Sequence, residues 1–406
     1  PMKIVVQKFG GTSVATQAAR DQVVRRIVQA KEDGLSPVVV LSAIGRKGDP
    51  YATDTLLELM AEAGPDVPSR ERDLLLSCGE IISCTLTSAL LTRAGHVARA
   101  LTGGQAGVIT DAEFGDARII EVLPEPLRDV LREGSIPVVA GFQGRTPNGE
   151  ITTLGRGGSD TTAAAIGAAL GAEAVEIFTD VEGVMTADPR LVGEAHTLDV
   201  VTYQEVAQLA YQGAKIIHPR ALELAMQYNI PLRVRSTFSD APGTLVTRGV
   251  HCPGRLKLGP DRLITGITHL PNIVQIKVIL PAQDKGQETA LFKSLAAVGV
   301  SIDLINVFPE MKIFTIAESD LSKAGLALEQ AGFKAKITPG LAKVSVVGAG
   351  MRGVPGVMAQ IVEVLNSAGI EILQTADSHA TISCLVRAED TQEAIRALHE
   401  GFALGK

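Results

Sequence analysis

Apolar residues in this chain follow two alternating rhythms. Short runs at Ile4–Gln7, Pro37–Ser42, Ile136–Gly141 and Val175–Phe178 read as strands, mostly buried on both faces. Between them the apolar residues recur at helical spacing. Val23, Val24, Ile27 and Val28 do so within a stretch from about Thr16 to Asp33 that stops at Gly34. Helices are also predicted over Thr53–Glu62, Ser69–Arg93 and Ser159–Leu170, and ahead of Ile136, where Pro124 and Pro126 fall in the first turn. Pro147-Asn148-Gly149 predicts a hairpin turn between Gly144 and Thr153. Long apolar strands alternating with helices imply an α/β fold with a mainly parallel sheet covered on both faces, continuing to about Ser236.

Beyond a connector rich in Gly and Pro (Pro242-Gly243, Pro253-Gly254, Gly259-Pro260) the pattern changes to an internal repeat. Leu291–Val300 lines up with Ile361–Ile370, and Val274 and Ile276 fall on Val344 and Val346, at a constant offset of 70 residues. Each copy reads strand, helix, strand, strand, helix. A unit this small has one helical layer on one sheet, so its open edges and bare face favour pairing with the other copy or with another subunit. Gly348-Ala349-Gly350-Met351-Arg352-Gly353 fits a dinucleotide fingerprint after a strand. Too little chain follows for a dinucleotide-binding sheet, and the first copy has Val278-Ile279-Leu280 at that place, so the match is set aside.

Composition narrows the function classes. The chain has 406 residues, enough for two or three domains. A formal charge of −7 offers no basic field for nucleic acid, and 3% aromatics with no Trp argues against a stacking surface. Any polyanionic ligand must then be held by a few placed cations and backbone N–H groups. Cys78, Cys84, Cys252 and Cys384 form no C-x-x-C pair and no zinc-ligand spacing, which suits reduced thiols in a cytoplasmic protein. Met2–Val6 runs straight into a strand, so no leader is expected, and no apolar run reaches the length of a membrane span.

Three loops carry candidate chemistry. Lys8-Phe9-Gly10-Gly11-Thr12-Ser13 ends the first strand, where open α/β sheets bind ligands. Gly10 and Gly11 let the backbone approach a phosphate and Lys8 supplies a point charge; the alternative is a tight turn with a solvated lysine. Thr152–Thr162 places Gly155, Arg156, Gly157, Gly158, Ser159 and Asp160 before an Ala-rich helix, so free N–H groups face an anion and Arg156 can grip a carboxylate. Simple capping by Ser159 or Asp160 is the competing reading, and it leaves Arg-Gly-Gly unexplained. Phe178–Arg190 opens from a strand into a polar loop that either receives a nucleotide or is ordinary surface. Glu80, in Ser77-Cys78-Gly79-Glu80, is a buried ammonium site or a structural carboxylate. The Walker A pattern is absent.

These three segments, in this order, resemble the signatures of the amino-acid kinase superfamily, and within it the aspartokinases. The extra residues in Ser42–Asp54, with Leu74–Glu80, are similar to the diaminopimelate-sensitive type I of spore-forming Gram-positive bacteria. The resemblance implies a three-layer αβα kinase fold over 2–240, a connector over 241–262, and two ferredoxin-like ACT (βαββαβ) domains, the first over 263–337 with a strand that could be shared with the second, over 338–406. It implies transfer from MgATP to the side-chain carboxylate of L-aspartate, the first step toward lysine or diaminopimelate, threonine and methionine, with Mg²⁺ held mainly by the nucleotide. It implies Lys8, Asp160 and Lys215 as catalytic groups, and Gly10, Gly11, Ser42, Thr179, Asp180, Met185, Thr186, Asp188 and Arg190 around ATP. Thr53, Glu80, Arg156, Gly157, Gly158 and Ser159 would meet aspartate. Ser301, Ile302, Asp303, Asn306, Gln374 and Asp377 would meet an amino-acid effector. Lysine-sensitive relatives usually carry Asp-x-Pro-Gly before the first ACT helix; here Asp284-Lys285-Gly286-Gln287-Glu288 stands there, which favours meso-diaminopimelate over lysine. A homodimer through the ACT domains is expected. Kinases of this fold acting on acetylglutamate, glutamate or a nucleoside monophosphate, and a catalytically silent sensor, are the alternatives.

Overall fold

The computed structural model describes residues 2–248, 263–280, 285–351 and 354–405. Pro253-Gly254, Gly259-Pro260, Cys252, Asp284 and Arg352-Gly353 lie outside the described residues. The chain forms two compact units. One comprises residues 1–184, 197–210 and 215–257; the other comprises 185–196, 211–214 and 258–406. Segments 185–196 and 211–214, which fall inside the range expected for the kinase domain, thus belong to the second unit.

The first unit is ordered β1 (Ile4–Phe9), α1 (Gln17–Glu32), β2 (Ser36–Leu41), α2 (Thr53–Ala61), α3 (Ser69–Arg93), β3 (Ala98–Leu101), β4 (Val108–Thr110), β5 (Ile119–Val122), α4 (Glu125–Arg132), β6 (Ile136–Ala140), β7 (Gln143–Arg145), β8 (Ile151–Thr153), α5 (Gly158–Leu170), β9 (Ala174–Thr179), β10 (Val200–Thr202), α6 (Tyr203–Tyr211), α7 (Pro219–Tyr228), β11 (Leu232–Ser236) and β12 (Thr244–Thr247). Its main sheet runs β10-β12-β11-β9-β1-β2-β6-β3, parallel except for β11 with β12. One face packs Phe9, Val39, Leu41, Val138 and Phe178 against Val23 and Ile27 of α1 and Leu91 of α3. The Phe9 and Phe178 rings stack at 4.6 Å. Residues of opposite parity face α5, where a Cβ on Gly167 would come within 2.4 Å of Val175; glycine there lets the helix lie close on the sheet. A smaller sheet, β5-β4-β7-β8, contains the hairpin predicted at Pro147-Asn148-Gly149.

α3 corrects one expectation. By length and composition it is the one described helix apolar enough to cross a membrane, with 25 residues and a window of mean hydropathy 1.7. Its buried face, however, carries Asp73, Ser77, Glu80, Ser83 and Thr87 at helical spacing, with Asp73 and Glu80 bonded to other elements. A polar inward stripe packed on a sheet is the pattern of a core helix.

The second unit is ordered β13 (Gly266–Ile279), α8 (Lys285–Ala297), β14 (Asp303–Val307), β15 (Met311–Ala317), α9 (Leu321–Gln330), β16 (Ala335–Val347), α10 (Val357–Ser367), β17 (Gln374–Asp377), β18 (Thr381–Arg387) and α11 (Thr391–Gly401). The two repeat copies share one antiparallel sheet, β14-β15-β13-β16-β18-β17. Moving each partner by the repeat length converts the pair Ile267↔Val346 into Ile337↔Ile276, so the long central strands pair about a pseudo-twofold axis. Each strand serves both copies. Ile267, at the start of β13, joins the core of the second copy, while Ala335, at the start of β16, packs on that of the first. This is the pairing that the small size of each copy demanded.

Candidate active site

β1 lies between β2 and β9 in the sheet, and Lys8 sits at its C-terminal end. The chain then turns at Gly10-Gly11. A Cβ on Gly11 would come within 2.5 Å of Gly45 O and 2.8 Å of Ala43 O, and one on Gly10 would face Lys8 Nζ at 3.6 Å. Only bare backbone fits at Gly11, whereas Gly10 faces the ammonium at ordinary contact distance. On the other side of the cleft, β8 leads into α5 through Gly155 and Gly157, both left-handed (φ 71° and 70°), and no side chain caps the helix. A Cβ on Gly157 would strike the His218 ring at 2.0 Å, and one on Gly158 would meet Phe142 at 2.8 Å. Capping therefore does not account for Arg156-Gly157-Gly158; an open helix N-terminus next to a cation does.

The two glycine turns meet. Lys8 Nζ lies 2.7 Å from Asp160 Oδ1, with both side chains mostly buried. The other Asp160 oxygen accepts from the His218 N–H at 3.2 Å. Lys215 is exposed on the turn leading to His218. A cleft of about 690 Å³ opens at this point, lined by Lys8, Ser42, Thr53, Glu80, Arg156, Gly157, Gly158, Ser159 and Asp160, together with Asp54, Arg72, Phe142 and Thr153.

Glu80 enters the cleft from α3 almost fully buried. One carboxylate oxygen accepts from the Ala43 N–H at 3.1 Å; the other has no hydrogen-bond partner. Burial pushes its pKa up to about 8, only partly offset by backbone hydrogen bonds such as that from Ala43. A half-satisfied buried carboxyl fits a ligand ammonium.

Asp73, seven residues earlier on the same face of α3, was not singled out from the sequence. It is fully buried and accepts from Thr153 N (2.8 Å), Thr153 Oγ1 (2.9 Å) and Gly115 N (2.9 Å), pinning β8 and the loop before β5 to the helix that carries Glu80. His218 was missed as well. The signal for Asp73 was present, since an acid on an otherwise apolar helix one heptad from another acid needs a partner. For His218 there was none, because its role is to fill the space that Gly157 leaves.

Residues 3–236 match the amino acid kinase family and residues 336–400 the ACT domain. The chain is 51% identical over 408 residues to aspartokinase 1 of Bacillus subtilis strain 168, covering 100% of both chains. This chain belongs to the aspartokinase family. An aspartokinase of Thermus thermophilus is 40% identical over 416 residues, again with full coverage of both. Among solved structures, E. coli aspartokinase III in complex with aspartate and ADP (R-state) matches with a TM-score of 0.77 at 28% identity, covering 98% of this chain and 99% of that one. The complex of the same enzyme with lysine and aspartate (T-state) matches with a TM-score of 0.77 at 27% identity, with the same coverage. The αβα kinase fold and the ACT units expected from the sequence are those of this aspartokinase.

The remaining candidates divide between the units. Thr179 Oγ1 accepts from Val181 N at 3.0 Å, shaping the loop after β9, and Asp180 pairs with Arg46 at 2.9 Å. Met185, Thr186, Asp188 and Arg190 belong to the second unit. Thr186 is buried, with its hydroxyl 2.9 Å from His399 Nε2, and the Asp188 carboxylate is taken up by Arg190 at 2.7 Å. Thr179 and Asp180 are the members of this candidate loop that belong to the first unit.

Of the effector candidates, Asn306 and Gln374 are brought together at 2.6 Å, and Asp303 pairs with the buried Lys343. Ser301 and Asp377 are exposed, and Ile302 packs on the core of the first copy.

Proposed function

We propose that this aspartokinase aligns ATP and L-aspartate in the cleft between the two glycine turns and passes the γ-phosphoryl group directly to the side-chain carboxylate, giving 4-phospho-L-aspartate and ADP. The observation that carries the reading is the 2.7 Å contact of Lys8 with Asp160, because it joins a phosphate-type turn and a carboxylate-type turn in one cleft. Gly10, Gly11 and Ser42 offer backbone and hydroxyl donors to the phosphates, and Lys8 and Lys215 add charge. Asp160 fixes the position of Lys8. Arg156 takes the α-carboxylate of aspartate at the Gly157-Gly158 turn, Glu80 takes the α-ammonium, and Thr53 and Ser159 orient the side chain. Thr179 and Asp180 face the nucleotide.

Transfer between two anions through a loose transition state needs positioning and charge neutralisation more than a base, and the acceptor carboxylate is already ionised at neutral pH. The donor set fits a metal carried in on the nucleotide. Asp160 and Asp180 each already hold a cation partner from the chain itself. Mg²⁺ so held would neutralise the β- and γ-phosphates.

Trapping the acyl phosphate with hydroxylamine tests the whole reading. ATP, Mg²⁺ and aspartate should yield aspartyl hydroxamate, and Asp160→Asn should lower turnover by about 10²–10³-fold with an unchanged melting temperature. No hydroxamate from the wild type would leave only a sensor, and hydroxamate formation with acetylglutamate in place of aspartate would change the acceptor.

The lysine-bound relative supports an amino-acid effector at the ACT units. In this reading Ser301, Ile302, Asp303, Asn306, Gln374 and Asp377 are its contacts, in a cytoplasmic homodimer. Gly286-Gln287-Glu288 where lysine-sensitive relatives carry Pro-Gly favours meso-diaminopimelate. An inhibition panel should show it acting at lower concentration than lysine or threonine; a stronger response to lysine would reverse the assignment.

A further inference from the structure

Because β1 lies between β2 and β9, the loops leaving β2 and β9 flank the Gly10-Gly11 turn on its two sides. One side-chain bridge joins them: Arg46 Nη2 donates to Asp180 Oδ2 at 2.9 Å. The loop that carries Arg46 is built rather than slack. The Gly45 N–H donates to Gly11 O at 3.0 Å, which hangs the loop directly on the turn. The Arg46 N–H donates to Asp49 Oδ2 at 2.7 Å, the Gly48 N–H to Thr55 Oγ1 at 3.2 Å, and Lys47 pairs with Glu58 of α2 at 2.8 Å. The backbone of Arg46 is thus fixed beside the turn, while its guanidinium is exposed and bonded across to the opposite loop.

We propose that Arg46 is a nucleotide-binding residue: it is strapped to Asp180 while the site is free, and it passes to the polyphosphate when a nucleotide enters. The proposal rests on the reading of Gly10-Gly11 as the phosphate cradle. A guanidinium fork fits phosphate as well as carboxylate, and a polyphosphate carries more charge than one carboxylate. The pair is exposed on both sides, so separating it costs little. Lys8 is already engaged by Asp160, so a cation from the β2 loop adds to the charge that Lys8 and Lys215 bring to the phosphates. The exchange also releases the Asp180 carboxylate to accept from the sugar hydroxyls, and it keeps that carboxylate neutralised until the phosphates arrive.

The test is nucleotide binding by calorimetry together with steady-state kinetics on the full chain. Arg46→Ala should weaken ADP binding and raise the KM for ATP about 10-fold, as expected for one lost charge-assisted contact, with Arg46→Lys in between. Adenosine affinity, the KM for aspartate and the melting temperature should stay within about 2-fold or unchanged, because the residue meets phosphate alone. If Arg46→Ala leaves ADP binding intact while Lys8→Ala weakens it, the cradle stands and the strap is refuted. If neither variant changes ADP binding, the cradle reading falls and takes the strap with it. Equal losses for adenosine and ADP would show that Arg46 merely shapes the loop, and would also overturn the proposal.

Discussion

The two units bury polar groups in opposite ways. Among the described residues, every buried side-chain nitrogen or oxygen without a hydrogen-bond partner belongs to the first unit: Gln7, Arg20, Glu80, Ser83, Thr87, Arg128, Arg235 and Asp160, whose lone oxygen has only the Lys8 ammonium as an ionic contact. In the second unit the sheet buries Gln275, Lys343, Ser345, Gln374 and Ser383, and they satisfy one another or nearby groups. Gln275 bonds to Gln374, Gln374 to Asn306, Ser345 to Ser383, and Lys343 to Asp303. Of the unsatisfied groups in the first unit, Glu80 and Asp160 line the cleft and so keep polar capacity in reserve for a ligand, whereas the other six lie outside its lining. The second unit uses its polar groups to fix the register of strands that two repeat copies share. A buried unsatisfied group costs stability, so it persists where binding returns that cost.

The contrast is broken most strongly at Glu80. Glu80→Gln keeps the shape of the side chain but cannot neutralise an ammonium, so the KM for aspartate should rise about 10–100-fold. Stability should move differently. In the folded chain the Glu80 carboxyl holds its proton up to about pH 8, against a reference value of 4.5. Between these values the folded state binds more protons than the unfolded one, so this group makes stability fall as pH rises from 4.5 toward 8. Thermal melts across that window should show a shallower fall for Glu80→Gln than for the wild type. The wild-type KM for aspartate should drop as pH approaches about 8, because the empty site no longer has to release a proton to bind the ammonium. A KM for aspartate that Glu80→Gln leaves unchanged would mean that the carboxyl is structural.

How much of this was legible in the sequence differs between the units for the same reason. The helices and strands of the first unit follow from unbroken apolar runs, and Ser69–Arg93 was bounded residue for residue. That Lys8 and Asp160 belong to one site was implied by the family resemblance, which made both catalytic groups; the structure brings them to 2.7 Å. Asp73 announced only that it needed a partner and His218 announced nothing, because each acts on a neighbour far along the chain: Asp73 on Thr153, and His218 on Gly157. In the second unit the 70-residue offset disclosed the repeat, and a strand shared between the copies was among the expectations; which strand ends exchange depends on long-range register rather than local pattern. Nor could periodicity assign residues 185–196 to the second unit, where Ala187 and Val192 join the core of the second copy. An apolar residue declares that it will be buried without declaring against what.

The smallest expected effect probes the other side of the comparison. Gln275 is buried, and its Nε2 donates to Gln374 Oε1 at 2.8 Å; Gln374 in turn donates to Asn306. Gln275→Leu keeps the volume but leaves a buried amide oxygen without its donor, which should destabilise the chain by about 1–3 kcal/mol in chemical denaturation. Basal turnover and both substrate KM values should be unchanged, because Gln275 belongs to none of the groups assigned to substrate. Polar deletion would then carry opposite consequences in the two units: lost binding with stability kept at Glu80, and lost stability with basal activity kept at Gln275. If Gln275→Leu instead proves neutral or stabilising, the amide ladder is not fixing the shared sheet. The satisfied pattern of the second unit would then reflect the ordinary tendency of buried amides to find partners, and the distinction between the units would rest on the unsatisfied groups of the first alone.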